Sequence, residues 1–175
     1  MNIVLIGYRG TGKSVVGALL SKRLSMSSVG MDAAIVSQAG MSIPDIVETF
    51  GWVEFRDRES ALARELSGRD NIIIDTGGGI IERPENIEAL GNNASIFWLK
   101  ATTDTIVSRI QGGTERPALT SGKTFTEEVA EVLERRTPQY KDAAHYEIET
   151  DAMTPSQIVE RIIDFWGRCV GNKCP

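Results

Sequence analysis

Short apolar runs alternate along this chain with longer stretches in which apolar residues recur at helical spacing. The first run, Asn2 to Ile6, predicts a strand that is buried on both faces of a parallel sheet. Apolar runs at Ile72 to Ile74 and at Ile96 to Leu99 predict two further strands. Weaker strands are predicted near Ser28 and at Tyr146 to Glu149, so we expect a sheet of about five strands.

Helical spacing fills the intervals between these runs. Val15 to Leu24 predicts the first helix, and Lys22 and Arg23 lie in its last turn, where cations complement the helix dipole. Pro84 and Pro155 are placed as first-turn residues of later helices, where a missing N–H costs no hydrogen bond. The later helices are predicted at Trp52 to Leu66, Pro84 to Leu90, Thr103 to Ile110, Phe125 to Arg136 and Pro155 to Arg168.

The alternation of strands and helices predicts an α/β fold of three layers, in which a mainly parallel sheet carries helices on both faces. No repeat, low-complexity tract or Pro/Ser-rich linker divides the chain, so residues 1–168 are expected to form one domain, followed by a short tail, 169–175. Segment 111–124, QGGTERPALTSGKT, is polar, contains glycine and lacks periodicity. We therefore expect it to form a mobile lid.

The charge and composition of the chain narrow the classes of function. The formal net charge is -5 and the isoelectric point is about 5.0, so the molecule as a whole repels nucleic acids and anionic membranes. No stretch reaches the roughly 18 apolar residues of a membrane span. We therefore expect a cytoplasmic protein that acts as a monomer, with neither a nucleic acid nor a membrane as partner.

Cysteine and histidine are scarce in this sequence. Cys169 and Cys174, in CVGNKC, match neither a CxxC redox pair nor a four-ligand zinc pattern, so we expect both to be incidental. The single histidine, His145, has no cluster of metal-ligating residues around it, which favours a structural role. These observations disfavour most metal-centred and histidine-based nucleophilic chemistries.

Residues Gly7 to Ser14 read GYRGTGKS, a complete GxxxxGK[ST] motif between a predicted strand and a predicted helix. In such a phosphate loop, backbone N–H groups and the helix N-terminus face a nucleotide phosphate. Lys13 is expected to contact the β- and γ-phosphates, and the Ser14 hydroxyl to ligate Mg²⁺, so ATP and Mg²⁺ are the expected cofactors. For Thr11 and Val15 the alternative, that they only complete and pack the loop, stays open. The residues of this loop that we expect to bind the nucleotide are Gly10, Thr11, Gly12, Lys13, Ser14 and Val15.

A phosphate loop alone does not distinguish a small-molecule kinase from a GTPase or a motor ATPase, so the other motifs decide. The NKxD motif by which GTPases read guanine is not found. Five segments follow the loop. Asp32 follows the second predicted strand, Phe55–Arg56 lies in EFRDRES, and Thr76 to Gly79 (TGGG) follows the third predicted strand. Glu115 to Pro117 (ERP) lies in the predicted lid, and Glu134 to Tyr140 (ERRTPQY) lies at a helix end. This ordered set resembles the shikimate kinase family from about residue 2 to residue 162.

The resemblance implies a nucleoside-monophosphate-kinase-like fold and transfer of the ATP γ-phosphate to the 3-hydroxyl of shikimate. It implies that Arg56 and Arg136 bind the acceptor carboxylate, for which planar guanidinium groups are suited. It also implies that Asp32 hydrogen-bonds the attacking hydroxyl and that Arg116 moves onto the transferring phosphate. Arg109 is expected to stack on adenine. Lys13, Asp32 and Arg116 are the expected catalytic residues.

Other residues of these motifs are expected to support acceptor binding. Glu59 lies three residues after Arg56 on the same helical face and can orient its guanidinium. Gly77, Gly78 and Gly79 can bring bare backbone close to the acceptor. The neighbouring Arg58 and Arg135 are expected to be surface charges instead.

One position departs from the family pattern. The family usually has DxD after the second strand, with its first aspartate supporting Mg²⁺, but this chain has Gly30 two residues before Asp32. Asp75, which ends the third strand immediately before TGGG, is our candidate to replace that carboxylate alongside Ser14. The alternative, that Asp75 only hydrogen-bonds nearby backbone amides, stays open. Two other functions also stay open: a kinase for another small acceptor such as gluconate or a nucleotide, and a catalytically silent binding protein.

Overall fold

The computed structural model describes residues 1–110 and 124–171. Its strands are β1 (Asn2–Ile6), β2 (Ser27–Gly30), β3 (Ile72–Asp75), β4 (Ala94–Lys100) and β5 (Tyr146–Glu149). They form one parallel sheet in the order β2-β3-β1-β4-β5. The expected sheet of about five parallel strands is thus confirmed, and β1 lies at its centre with every residue buried, as its apolar run requires.

Helices cover both faces of this sheet. They are α1 (Lys13–Leu24), α2 (Met31–Ala39), α3 (Ile43–Ser67), α4 (Pro84–Gly91), α5 (Thr103–Ile110), α6 (Phe125–Ala143) and α7 (Pro155–Gly171), with a 3₁₀ turn at Ile80–Glu82. Side chains of β1 alternate between two cores, because successive residues of a strand point to opposite faces. Val4 and Ile6 pack with α2, α3 and α4, whereas Ile3 and Leu5 pack with α1 and α7. The predicted three-layer α/β architecture is confirmed.

Helices α2 and α3 differ from the prediction. α2 was not predicted, because its nine residues bury only Met31 and Ile35 and show little periodicity. α3 begins at Ile43 rather than at Trp52, and Gly51, with φ of 85°, kinks it. The earlier start is stabilised by a capping box at Ser42, whose hydroxyl accepts from the Asp45 N–H.

The prediction that the segment ERRTPQY ends a helix is wrong. α6 continues through Pro138 to Ala143. A proline inside a helix costs about 3 kcal/mol. Here Tyr140 and Ala143 lie beyond it in the core, where Tyr140 stacks on Trp98 with ring centroids 5.5 Å apart. The packing of that last turn outweighs the proline penalty and keeps the helix continuous.

Some of the sequence predictions fall on residues outside the described ones. The expected lid, 111–124, is described only at Thr124, which caps α6. α7 runs to Gly171, beyond the predicted end at Arg168, and residues 172–175 of the expected tail are not described. In residues 1–110 and 124–171, no helix combines the length and apolar character needed to cross a membrane.

Candidate active site

The phosphate loop connects the end of β1 to α1 in backbone conformations that favour glycine. Gly10 and Gly12 have φ of 81° and 95°, and a Cβ on Gly7 would lie 2.5 Å from the Leu99 carbonyl oxygen. The Lys13 ammonium donates to the carbonyls of Gly7 and Tyr8 at 2.8 and 3.0 Å. The sequence therefore builds a tight loop that holds the lysine beside its own backbone.

Thr11 and Val15 differ in their relation to this loop. Thr11 is buried, and its hydroxyl donates to the Tyr8 carbonyl at 2.8 Å, so it braces the loop from inside. Val15 is 54% exposed and does not pack the loop. It lines an open groove of about 890 Å³ together with Gly10, Gly12, Lys13, Ser14 and Asp75. This groove is the candidate nucleotide site.

Ser14 and Asp75 meet at the floor of the groove. The Ser14 hydroxyl donates to the Asp75 carboxylate at 2.6 Å. Burial raises the pKa of Asp75, although the Lys13 charge and the Ser14 hydrogen bond act in the opposite direction. A hydroxyl and a carboxylate beside a phosphate loop are the hard oxygen ligands that Mg²⁺ prefers, so these residues fit that cation.

A second pocket lies next to the groove, where α2, α3, α6 and the turn after β3 converge. Asp32 reaches it from the first turn of α2. The structure brings together every residue predicted to bind the acceptor: Asp32, Arg56, Glu59, Gly77, Gly78, Gly79 and Arg136. We call this the acceptor pocket.

Arg56 is fixed from two sides in the acceptor pocket. Its guanidinium pairs with Glu59, as the helical spacing predicts, and with Glu82 at 3.0 Å. The same group lies 5.5 Å from the Trp52 ring centroid. Burial raises the pKa of Glu59, and the Arg56 charge opposes this without cancelling it. The guanidinium is therefore preorganised before any ligand enters.

Arg136 shares Glu82 with Arg56. Its Nε donates to Glu82 at 3.0 Å, and its Nη1 donates to the Gly78 carbonyl at 3.2 Å. Burial alone would raise the pKa of Glu82, but Arg136 and Arg56 hold this pKa below its ordinary value. Tyr140, one turn further along α6, donates its hydroxyl to the same Gly78 carbonyl. Helix α6 is thus tied to the TGGG turn.

Two glycines of the TGGG turn, Gly77 and Gly79, leave space for charged side chains of the pocket. A Cβ on Gly77 would lie 2.7 Å from Glu59 Oε1 and 2.8 Å from Asp32 Oδ1, and a Cβ on Gly79 would overlap the Arg56 guanidinium. A Cβ on Gly78 would lie 3.4 Å from the Arg9 backbone nitrogen. The turn requires glycine because the pocket's own groups occupy the space that side chains would need.

Comparisons with known proteins agree with this geometry. The family model described as shikimate kinase matches residues 9–166. A shikimate kinase from Thermodesulfovibrio yellowstonii is 37% identical over 172 residues, 98% of each chain. The chain belongs to the shikimate kinase family. Another shikimate kinase, from Caldicellulosiruptor bescii, is 35% identical over 162 residues, 93% of each chain. The protein is therefore an ATP-dependent kinase of aromatic amino acid biosynthesis.

Solved structures of shikimate kinases share the fold. The structure of shikimate kinase from Acinetobacter baumannii in complex with shikimate matches with a TM-score of 0.90 and 30% identity, covering 99% of this chain and 95% of that one. A gluconokinase from Sinorhizobium meliloti 1021 matches with a TM-score of 0.60 at 14% identity, covering 98% and 94% of the two chains. The second match shows a shared fold alone.

Of the two arginines that we predicted to contact the nucleotide, the structure describes one, Arg109. Arg109 donates to the Thr150 carbonyl at 3.1 Å and to the Gly10 carbonyl at 3.4 Å, which holds it at the rim of the groove. Arg116 lies outside the described residues. Adenine stacking by Arg109 and phosphate contact by Arg116 stay predictions.

Sequence reasoning missed Glu82, whose carboxylate pairs with both arginines of the acceptor pocket. No motif singled it out, since it lies in a short 3₁₀ turn and meets Arg56 and Arg136 only through the tertiary fold. Arg135 is 66% exposed, as expected of a surface charge, and lies 3.9 Å from Glu82. Arg58 pairs with Glu54 at 2.8 Å and is half-buried. His145 Nδ1 accepts from the Ile96 N–H at 3.2 Å, in keeping with a structural role.

Proposed function

We propose that this kinase transfers the γ-phosphate of ATP to the 3-hydroxyl of shikimate, giving shikimate 3-phosphate and ADP. The observation that carries the proposal is the pocket with two preorganised arginines immediately beside the phosphate-loop groove. A small carboxylate with ring hydroxyls suits such a pocket, and the related Acinetobacter baumannii protein has been solved with shikimate bound.

The acceptor carboxylate is bound by Arg56 and Arg136. Both guanidinium groups share Glu82, so each keeps its orientation where it lines the pocket. Two fixed forks recognise a planar carboxylate with little loss of side-chain entropy. The pocket therefore binds the acceptor through groups that do not need to reorganise.

Asp32 orients the acceptor hydroxyl for attack. It lines both the acceptor pocket and the nucleotide groove, so its carboxylate lies where a hydroxyl must approach the γ-phosphate. It accepts a hydrogen bond from the hydroxyl and takes the proton as the new bond to phosphorus forms. Because phosphoryl transfer has a loose transition state, most of this contribution is orientation.

The nucleotide is held by the phosphate loop. Backbone N–H groups from Gly10 to Ser14 and the Lys13 ammonium bind the β- and γ-phosphates, and Arg109 stacks on adenine. Arg116 stabilises the charge on the transferring group and helps to exclude water from it. Without nucleotide, the Lys13 ammonium donates to the Gly7 and Tyr8 carbonyls. On nucleotide binding, phosphate oxygens replace these carbonyls as acceptors.

Ser14 and Asp75 would hold Mg²⁺ beside the phosphates. In the described residues, no group of three or more His, Cys, Asp or Glu forms a metal cage. A site with one hydroxyl and one carboxylate, completed by phosphate oxygens and water, is common for this cation. When bound, Mg²⁺ neutralises charge on the β- and γ-phosphates.

A coupled assay of ADP release tests the proposed reaction. Purified protein with MgATP should release ADP much faster with shikimate than with gluconate or nucleoside monophosphates, and mass spectrometry should find shikimate 3-phosphate. The Lys13→Ala variant controls for contaminating ATPases, because it removes the charge that contacts the phosphates. Turnover with gluconate or a nucleotide would favour another small-acceptor kinase. Binding of both ligands without any ADP would favour a silent binding protein.

We also propose that the enzyme works as a monomer in the cytoplasm. The net charge of -5 supports solubility without a membrane or nucleic acid partner. Sedimentation equilibrium at micromolar protein tests the oligomeric state, and a dimer mass would contradict the proposal.

A further inference from the structure

Arg9, in the phosphate loop, lies at the boundary between the two pockets. It lines both the acceptor pocket and the nucleotide groove. In the described part of the chain, the other residues that line both are Asp32 and Gly78, so Arg9 is the basic residue common to the two. A phosphoryl group that passes from ATP to the acceptor must cross this boundary.

Within residues 1–110 and 124–171, no side chain balances the charge of Arg9. Its Nε is buried and has no hydrogen-bond partner, and none of its nitrogens forms an ion pair, within residues 1–110 and 124–171. In contrast, Arg56 and Arg136 both pair with Glu82. A buried donor left without a partner is costly, so a group that supplies an acceptor there is favoured.

Two aromatic rings lie beside the Arg9 guanidinium, at distances typical of cation–π contacts. Its Cζ lies 5.3 Å from the Phe125 ring centroid and 5.9 Å from the Tyr8 ring centroid. A guanidinium that stacks on rings keeps its N–H donors in its plane available for an oxyanion. The backbone nitrogen of Arg9 would lie 3.4 Å from a Cβ on Gly78, so the loop and the TGGG turn are close neighbours here. The Arg9 side chain is therefore preorganised, and no carboxylate of the described residues compensates its charge.

We propose that Arg9 binds the phosphoryl group on the acceptor side, so that it recognises the phosphorylated product far more strongly than the unphosphorylated acceptor. This inference rests on the proposed function. In the transfer, the bond from the acceptor oxygen to Pγ forms and the bond from Pγ to the β,γ-bridging oxygen breaks. The hydroxyl proton passes to Asp32, and the bridging electron pair leaves with ADP. The resulting phosphate monoester places its dianion beside the Arg9 guanidinium, which no carboxylate of the described residues balances and where charge-assisted hydrogen bonds are strong.

Calorimetric titration of shikimate and shikimate 3-phosphate into the parent protein and the Arg9→Gln variant tests this. Arg9→Gln should bind shikimate 3-phosphate about 10- to 100-fold more weakly, but shikimate less than about 3-fold more weakly. Its kcat should fall while its KM for shikimate changes little. Arg9→Lys keeps the charge without the planar fork, so its affinity for the phosphorylated product should be intermediate. Arg64→Gln, which removes an exposed charge on α3 outside both pockets, should leave both affinities at the parent values.

The outcomes separate the inference from the proposed function. Equal losses for the two ligands in Arg9→Gln and Arg9→Lys would assign Arg9 to the loop structure or to the acceptor ring, and would overturn the inference. Unchanged affinity for shikimate 3-phosphate would overturn it as well. Failure of the parent protein to phosphorylate shikimate would instead overturn the proposed function, and the ADP assay on the parent reveals this independently of any Arg9 variant.

Discussion

Gly30 and Asp75 are register partners on the adjacent strands β2 and β3, at the ends that face the phosphate loop. The family's usual first aspartate is missing at Gly30, and a carboxylate stands directly across from it on the neighbouring strand. That carboxylate accepts from Ser14 at 2.6 Å. Since the two positions are adjacent in the sheet, a carboxylate on β3 reaches the same corner of the groove as one on β2.

We predict that Asp75→Asn raises the Mg²⁺ concentration needed for half-maximal activity about 10-fold or more, because a supporting carboxylate is lost. Calorimetry should also show that Mg²⁺ improves ATP binding less in the variant than in the parent. Adding Gly30→Asp should recover part of the loss. A side chain fits at Gly30, where the nearest atom to a Cβ would be 4.0 Å away.

The matched control for this prediction is Asp142→Asn, which removes an exposed aspartate on α6. It should leave the Mg²⁺ dependence of both activity and ATP binding unchanged. If folded Asp75→Asn shows the parent's Mg²⁺ dependence, Asp75 does not replace the missing carboxylate and only bonds Ser14.

A second prediction concerns the acceptor arginines. Arg56→Ala or Arg136→Ala each removes charge-assisted hydrogen bonds worth about 1.5–3 kcal/mol, so shikimate affinity should fall roughly 10- to 150-fold. Nucleotide affinity should hardly change in either variant, because both residues lie outside the groove. Arg64→Ala, at an exposed position on α3 outside both pockets, serves as the control. Equal losses of ATP and shikimate affinity by calorimetry would indicate a folding defect rather than a binding role.

Local sequence signals predicted the parts of the site that are local in the chain. The β1, phosphate loop and α1 unit follows from an apolar run and a glycine pattern, and Arg56 with Glu59 follows from helical spacing. Glu82 could not be predicted in this way, because its meeting with Arg136 depends on how α6 packs on the turn after β3. Helix continuation through Pro138 was missed for the same reason, since the buried contacts of Tyr140 and Ala143 stabilise that last turn.

A third prediction follows from the crowding around the TGGG turn. Gly79→Ala places a methyl group on the Arg56 guanidinium, which is held by Glu59 and Glu82, so it should displace Arg56 and weaken shikimate binding about as much as Arg56→Ala does. Gly68→Ala is the control, since the nearest atom to a Cβ there is 3.6 Å away, an ordinary contact. Parent-like shikimate affinity in Gly79→Ala would show that the Arg56 guanidinium can move aside without weakening shikimate binding.

The last prediction concerns the pH dependence contributed by Glu82. Arg136 and Arg56 hold its pKa in the folded protein below the ordinary value of 4.5, so its ion pairs stabilise the fold above that pH. The stabilisation is lost as the pH falls through the lowered folded pKa. Glu82→Gln should therefore reduce the free energy of unfolding by about 1–2 kcal/mol at pH 7, and the deficit should shrink below pH 4.5. Urea titrations at both pH values measure this, with Glu88→Gln, an exposed glutamate on α4, as control. A deficit that stays the same at acid pH would show that packing, rather than the charge of Glu82, stabilises the turn.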